Sequence, residues 1–179
     1  MAIKILVPLV DGFEEIEMTA VVDILRRAGV EVTTAGLGGN IVTGAHNIRV
    51  NSDARLMDIN TDGFSGIVLP GGSPGTENLM RSERVLKITD DFAKQGKLVA
   101  AICAAPRILA KLGLLKEKRA TVYPGYEKEL GKPRNDPVVA DGNIITSQGA
   151  GTAVAFALKI VEQLAGKPKA LQIKQDIVA

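Results

Sequence analysis

The nine residues LVAAICAAP, Leu98–Pro106, decide how the chain is read. Their apolar run is about half of a membrane span, so it predicts a strand buried on both faces, with something sharp after it. Cys103 follows that strand directly. Ala104 and Ala105 are small enough for a tight turn, and Pro106 suits the first turn of a helix running to Leu112. Strand, nucleophile, small residues and helix make the local recipe of a nucleophile elbow. A helix N-terminus beside the sulfur favours thiolate. The alternative is an inert core cysteine, since free cysteines are among the most buried residues. The position at a strand end favours the reactive reading.

Outward from this segment, short apolar runs alternate with stretches of helical period. Ile3–Leu9, Val30–Ala35 and Phe64–Leu69 read as strands, and Glu14–Ala28 (closed by Gly29) and Glu83–Gln95 as helices. Asn40–Asn51 reads as a hairpin around Gly44, Ala120–Val122 as a short strand, and Val138–Ser147 as a hairpin with an Asp-Gly turn. Thr152–Leu164 reads as a helix. Alternating units with buried strands specify an α/β fold: a mostly parallel sheet with helices on both faces. No repeat, low-complexity tract or linker interrupts the 179 residues, which predict a single domain over residues 1–179.

Composition narrows the function. Apolar residues at 46% and charged residues at 23% are ordinary for a globular chain that needs no covalent staple. Cys103 is the only cysteine and His46 the only histidine. This excludes an intrachain disulfide, a zinc finger, a CxxC pair and a His-rich metal site. A catalytic triad has to use His46 or borrow a histidine from another subunit. The net charge of +2, from 22 basic and 20 acidic residues, and 3% aromatics provide neither an electrostatic footprint nor stacking platforms for nucleic acid. The N-terminus reaches Asp11 too soon for a signal peptide, so a reducing cytoplasm without membrane attachment is expected. Gly149-Ala150-Gly151 has Val154 where a dinucleotide fingerprint needs its third glycine, and no Walker motif exists, so nucleotide binding is set aside.

In a parallel α/β sheet, ligands bind outside the carboxyl ends of the strands. That rule selects Val10–Phe13, Pro70–Pro74, Cys103–Ala105 and Ser147–Gly151. In the first helix, the stripe Ala20/Val21, Ile24/Leu25, Ala28 extends one turn back to Glu17, which places a carboxyl on the core-facing side. A buried carboxyl has a raised pKa and can exchange a proton with a neighbouring thiol. Alternatively, Glu17 merely favours the helix N-terminus, as Glu14 and Glu15 do. Gly71 and Gly72 let backbone N–H groups approach a ligand, so Gly72 with Ala104 can form an oxyanion hole; two glycines after a proline also make an ordinary turn.

These residues, in this order and spacing, resemble the ThiJ/PfpI superfamily, in its small single-domain branch of parkinsonism-associated protein deglycases. The pieces that carry the resemblance are EEIE with Glu17, RRAG at Arg26–Gly29, LPGG at Leu69–Gly72, AAICAAP around Cys103, and TSQGAGT through Ser147–Thr152. The resemblance runs nearly end to end. It implies a flavodoxin-like three-layer sandwich of the class I glutamine amidotransferase type, a homodimer, and an oxidation-sensitive Cys103 hydrogen-bonded to Glu17. It also implies cofactor-free, metal-free chemistry on small aldehydes or dicarbonyls, of the glyoxalase or deglycase kind. Redox sensing and chaperone-like roles are the alternatives it brings.

The chain departs from that pattern in three places. Tyr123 stands where many relatives have a histidine near the cysteine, so no Cys-His dyad is available, and a tyrosine is a poor base near neutrality. Gln148 and Ala150 replace an arginine and a proline after Ser147. His46 stands in the hairpin where some relatives carry an arginine; the resemblance implies a place near a dimer interface, from which it, Arg26 and Arg27 can approach the partner's pocket, and the alternative is an exposed loop histidine with no catalytic role. Gly71, Tyr123, Ser147 and Gln148 are the expected walls of the pocket.

Overall fold

The computed structural model describes residues 2–179. Seven strands form the main sheet: β1 (Lys4–Leu9), β2 (Glu31–Gly36), β5 (Ala54–Arg55), β6 (Gly66–Leu69), β7 (Leu98–Ile102), β10 (Val138–Asp141) and β11 (Ile144–Ser147). Two further pairs lie outside it: β3 (Ile41–Thr43) with β4 (Arg49–Asn51), and β8 (Arg119–Ala120) with β9 (Lys132–Pro133). The spatial order is β10-β11-β7-β6-β1-β2-β5, with every neighbouring pair parallel except β10 and β11. Six helices cover it: α1 (Glu15–Arg27), α2 (Ser73–Arg81), α3 (Glu83–Lys94), α4 (Pro106–Lys111), α5 (Ala153–Ala165) and α6 (Lys167–Asp176).

The period of two in the strands divides the core between the two faces of the sheet. Ile5, Val7 and Leu9 of β1 and Ala100 and Ile102 of β7 pack with Val21, Ile24 and Leu25 of α1 and Phe156 and Ile160 of α5. Leu6, Val99 and Ala101 face the other way, onto Val85, Ile88 and Phe92 of α3 and Ile108 and Leu109 of α4. Each such side chain contributes roughly 1.5–3 kcal/mol when fully buried. The result is the expected flavodoxin-like three-layer sandwich.

Pro8 sits inside a central strand, a position that normally costs a ladder bond. Lys4 accepts from Ser65 through its carbonyl, whereas Ile3 and Leu9 accept from Glu31 and Leu37, so even-numbered residues of β1 face β6. Pro8 therefore lacks its N–H on the β6 side, beyond the last β1–β6 pair at Leu6↔Ile67. The strands are already parting there, at the edge that carries the loops of interest.

Three elements differ from the sequence reading. α2 begins on Ser-Pro-Gly, which reads as a turn; it forms because Gly75 fits against Gly12, where an added β-carbon would lie 2.6 Å from the Gly12 carbonyl oxygen. α6 follows α5 after the single residue Gly166, whose φ of +87° makes the reversal. Ala120–Val122 does not join the main sheet: only Ala120 pairs, with Pro133, and the N–H of Thr121 goes to Thr146 Oγ1 at 2.9 Å. Among the described residues, no helix is long and apolar enough to cross a membrane.

Candidate active site

The elbow forms where β7 ends. Cys103 has φ +64°, a left-handed conformation that a side chain disfavours by roughly 1–2 kcal/mol. Two backbone hydrogen bonds hold it there: Cys103 donates its N–H to the Ser147 carbonyl at 2.9 Å, and Tyr123 donates to the Cys103 carbonyl at 2.8 Å. Strain held by neighbouring strands is a signature of functional positions. The sulfur is partly buried, and the backbone N–H groups of Gly72 and Ala104 lie near enough to favour its thiolate.

Glu17 comes from the first turn of α1, on the core side that its stripe requires, and is completely buried. Its Oε2 accepts the Gly71 N–H at 2.7 Å, while Oε1 is buried without a well-formed partner. Glu17 and Cys103 are close enough for each to perturb the other. Gly71 separates them: a β-carbon there would lie 2.5 Å from Cys103 Cβ and 2.7 Å from Glu17 Oε2. The surrounding loops are zipped by Glu14 N–H to Gly71 carbonyl at 3.0 Å, Gly75 N–H to Gly12 carbonyl at 3.1 Å and Thr76 N–H to Gly72 carbonyl at 2.8 Å.

Burial pushes the Glu17 carboxyl up to about 7, against the opposing pull of the Gly71 N–H and the thiol. Burial also pushes the Cys103 thiol up, to about 12, and the Glu17 charge adds to it; the N–H groups of Gly72 and Ala104 pull the other way. This differs from the thiolate expected of a helix N-terminus. α4 has six residues, a short dipole, and burial together with the carboxylate beside the sulfur outweighs it. The two groups titrate as a pair. Passing the thiol proton to Glu17 leaves the net charge of the site unchanged and removes the charge that opposes the thiolate. The unpartnered Oε1 is the atom open to receive it.

The other sequence candidates are placed less centrally. Ser147 contributes its carbonyl, but its hydroxyl is engaged by the Pro137 carbonyl at 2.8 Å and by Thr152 Oγ1 at 2.6 Å. Tyr123 anchors its backbone to the elbow and keeps a half-exposed ring beside Gly149. Gln148 turns to Asn135 Oδ1, at 3.1 Å, and lines a recess with Val122, Pro133 and Arg134. Arg26 binds Asp53 at 2.8 Å and the Val32 carbonyl at 3.0 Å, and Arg27 binds Asp23 at 2.9 Å, so within one chain neither approaches Cys103.

His46 also lies away from the thiol. Its Nδ1 is 2.8 Å from Glu15 Oε2 and 3.6 Å from Glu14 Oε2, and its N–H donates to Glu15 Oε1 at 2.7 Å. The hairpin thus lies directly on the Glu15 side chain, against Gly44. Burial pushes Glu15 up, but the His46 ring and backbone N–H groups outweigh it and hold the carboxyl below its ordinary value. Glu14, Glu15 and His46 bring ligand atoms within 4.8 Å of one another, as a metal site would. The ion pair already accounts for that arrangement.

Sequence reasoning missed Arg107, which opens α4 four residues after the cysteine. It reaches Glu77 of α2 at 2.6 Å and Glu129 at 2.9 Å, and lies 4.5 Å above the Tyr126 ring. Nothing local marks it, because its partners are 22 and 30 residues away. Volume is a poor guide to the chemistry as well. A recess of about 760 Å³ among Gly39, Ile41, Arg55 and Asp58 is open and has no nucleophile.

Fold and site together define a parallel α/β sandwich with a cysteine elbow and a buried carboxyl partner. The chain belongs to the DJ-1/PfpI family, whose model matches residues 3–163. It is 41% identical to protein dj-1beta of Drosophila melanogaster, over 99% of this chain and 98% of that protein. The crystal structure of the Drosophila protein superposes with a TM-score of 0.95 at 40% identity, covering 100% of this chain and 99% of that one. A structure of oxidised DJ-1 from Toxoplasma gondii gives a TM-score of 0.96 at 34% identity, covering 99% and 98%. A protein named a deglycase in Pyrococcus abyssi is 33% identical over 90% of this chain and 99% of its own length.

Proposed function

We propose that the protein is a cofactor-free enzyme that converts small reactive dicarbonyls, such as methylglyoxal or glyoxal, to hydroxy acids. The observation that carries this reading is the convergence on Cys103 of a buried carboxyl that titrates near neutrality and two backbone N–H groups. A carboxyl with a pKa near the working pH is suited to accept a proton and return it.

In the reaction, the Cys103 proton passes to Glu17 and the thiolate attacks the aldehyde carbon. The oxyanion formed lies toward the Gly72 and Ala104 N–H groups and is protonated to a hemithioacetal. Glu17, returned to the carboxylate by giving its proton to that oxyanion, then removes the hydrogen from the former aldehyde carbon and delivers it to the adjacent carbon, while the hydroxyl proton passes to the neighbouring carbonyl oxygen, which leaves a hydroxyacyl thioester. Water hydrolyses the thioester to the hydroxy acid and restores the thiol. The sum is one dicarbonyl plus one water, with no external oxidant or reductant. The relative named a deglycase favours chemistry of this class. A homodimer, in which a second copy brings His46, Arg26 or Arg27 toward the pocket, and a cytoplasmic location belong to the same proposal.

A second reading is an oxidative-stress sensor, favoured by the relative whose structure is of an oxidised form. Peroxide takes the Cys103 thiolate to sulfenic and then sulfinic acid, releasing one water at each step. With no second cysteine in the chain, no intrachain disulfide diverts it.

The test is lactate formation from methylglyoxal in thiol-free buffer, wild type beside Cys103→Ser. Lactate that disappears in the variant supports the enzyme. Absence of lactate from folded, reduced wild type overturns it, and intact mass after mild peroxide then tests the sensor.

A further inference from the structure

We propose that the groove between α5 and α6 is a binding site for a medium-chain fatty carboxylate. α6 folds back along α5 after Gly166, and the two helices bring one stripe each to the groove. From α5 come Ala155, Leu158 and Lys159, and from α6 come Lys167, Leu171 and Lys174. The spacing within each stripe is that of one helix face. Ala170 and Val138 of β10 complete an apolar lining.

Three features select the ligand. The volume, about 280 Å³, is at the small end of ligand pockets and admits a single chain. Leu171 is half exposed, so the apolar surface is uncovered. The rim is cationic: Lys159, Lys167 and Lys174 face one carboxylate, Glu162, which Lys159 engages at 3.1 Å. Among the described residues, Lys167 and Lys174 are in no ion pair. The adjoining recess shares Val138 and Lys159 and adds Arg119, which pairs with Asp141 at 3.5 Å, and Arg134 beside Asp136. An apolar slot under unpaired lysines matches an aliphatic tail with an anionic head. None of these residues belongs to the Cys103 site, so the proposal stands independently of the reaction.

The experiment is calorimetric titration of the full chain with sodium decanoate below its micellar concentration. One molecule should bind per chain, with a dissociation constant below about 1 mM. Lys167→Glu with Lys174→Glu should weaken binding by about tenfold or more, and Leu171→Asp by a similar factor. Cys103→Ser should bind as wild type does, and decyltrimethylammonium should not bind. Absence of saturable binding overturns the proposal, as does equal affinity in the lysine variant. Tighter binding of a poly-glutamate peptide than of decanoate overturns it in favour of an acidic protein partner.

Discussion

Glu17 and Cys103 meet across a residue that has no side chain. Gly71 donates its N–H to Glu17 Oε2 at 2.7 Å, and its missing β-carbon is the space in which carboxyl and thiol approach. Pairing thus depends on a third residue, from a loop 32 positions before the cysteine and 54 after the glutamate.

Gly71→Ala tests that dependence. The added methyl must displace either Cys103 Cβ or the carboxylate, and overpacking of this kind costs about 1–3 kcal/mol. Urea unfolding should show the loss, and turnover should fall with it. Gly38→Ala, with nothing within 4 Å of the new carbon, should stay within about 0.5 kcal/mol of wild type.

Glu17→Gln should separate thiol reactivity from turnover. The Glu17 charge contributes to the raised thiol pKa, so its removal increases the thiolate fraction. Alkylation of Cys103 by iodoacetamide at pH 8 should then accelerate by about tenfold, while methylglyoxal conversion is lost for want of a proton carrier. Unchanged alkylation would show that the carboxylate does not restrain the thiol.

The same carboxyl predicts a stability profile. Its folded value, about 7, lies above its ordinary 4.5, so the fold favours the protonated form. That contribution is complete below pH 4.5 and disappears as pH rises through 7, at most about 3 kcal/mol. Unfolding free energies of wild type minus Glu17→Gln should therefore decrease between pH 5 and pH 8. A constant difference would place the titration elsewhere.

His46 and Glu15 act in a different window. The hydrogen bond to Glu15 and the charges of Glu14 and Glu15 raise the histidine, so its contribution is full below its unfolded value and lost as pH rises through the folded one. Glu15 is lowered, so its share is lost as pH falls through its folded value. His46→Ala should lower the melting temperature more at pH 6 than at pH 9, and added salt should shrink the gap.

Arg107 ties α4 to α2 and to the turn at Glu127–Glu129. Arg107→Ala should cost about 1–3 kcal/mol, because it removes a mostly buried fork from two carboxylates and a ring. Hydrogen exchange should accelerate through residues 123–130, where Tyr123 is anchored to the elbow. Arg107→Lys should restore the charge and only part of the protection.

Local physics made much of this legible from residues alone. LVAAI is apolar throughout and too short to span a membrane, which favours a buried strand, and the candidacy of Cys103 followed from its position at the strand's end. The helical stripe from Ala28 back to Glu17 put a carboxyl in the core because side chains three and four apart share a face. α2 was not legible: Ser-Pro-Gly has poor helix propensity, and contact with Gly12 overrides it. α6 was not read either, because its stripe is mixed with lysines at Lys167, Lys169 and Lys174.

The amino-acid sequence by itself determined the parallel sandwich and singled out Cys103 and Glu17 as candidates, because each follows from periodicity or from a single residue between a strand and a helix. Only the tertiary structure decided how those groups behave. The left-handed Cys103 is held by Ser147 and Tyr123, His46 is claimed by Glu15, and the Ser147 hydroxyl by Pro137 and Thr152. Each depends on residues distant in the chain. The protonation of the pair was decided the same way, since desolvation and a neighbouring charge are properties of the packed interior and not of the order of residues.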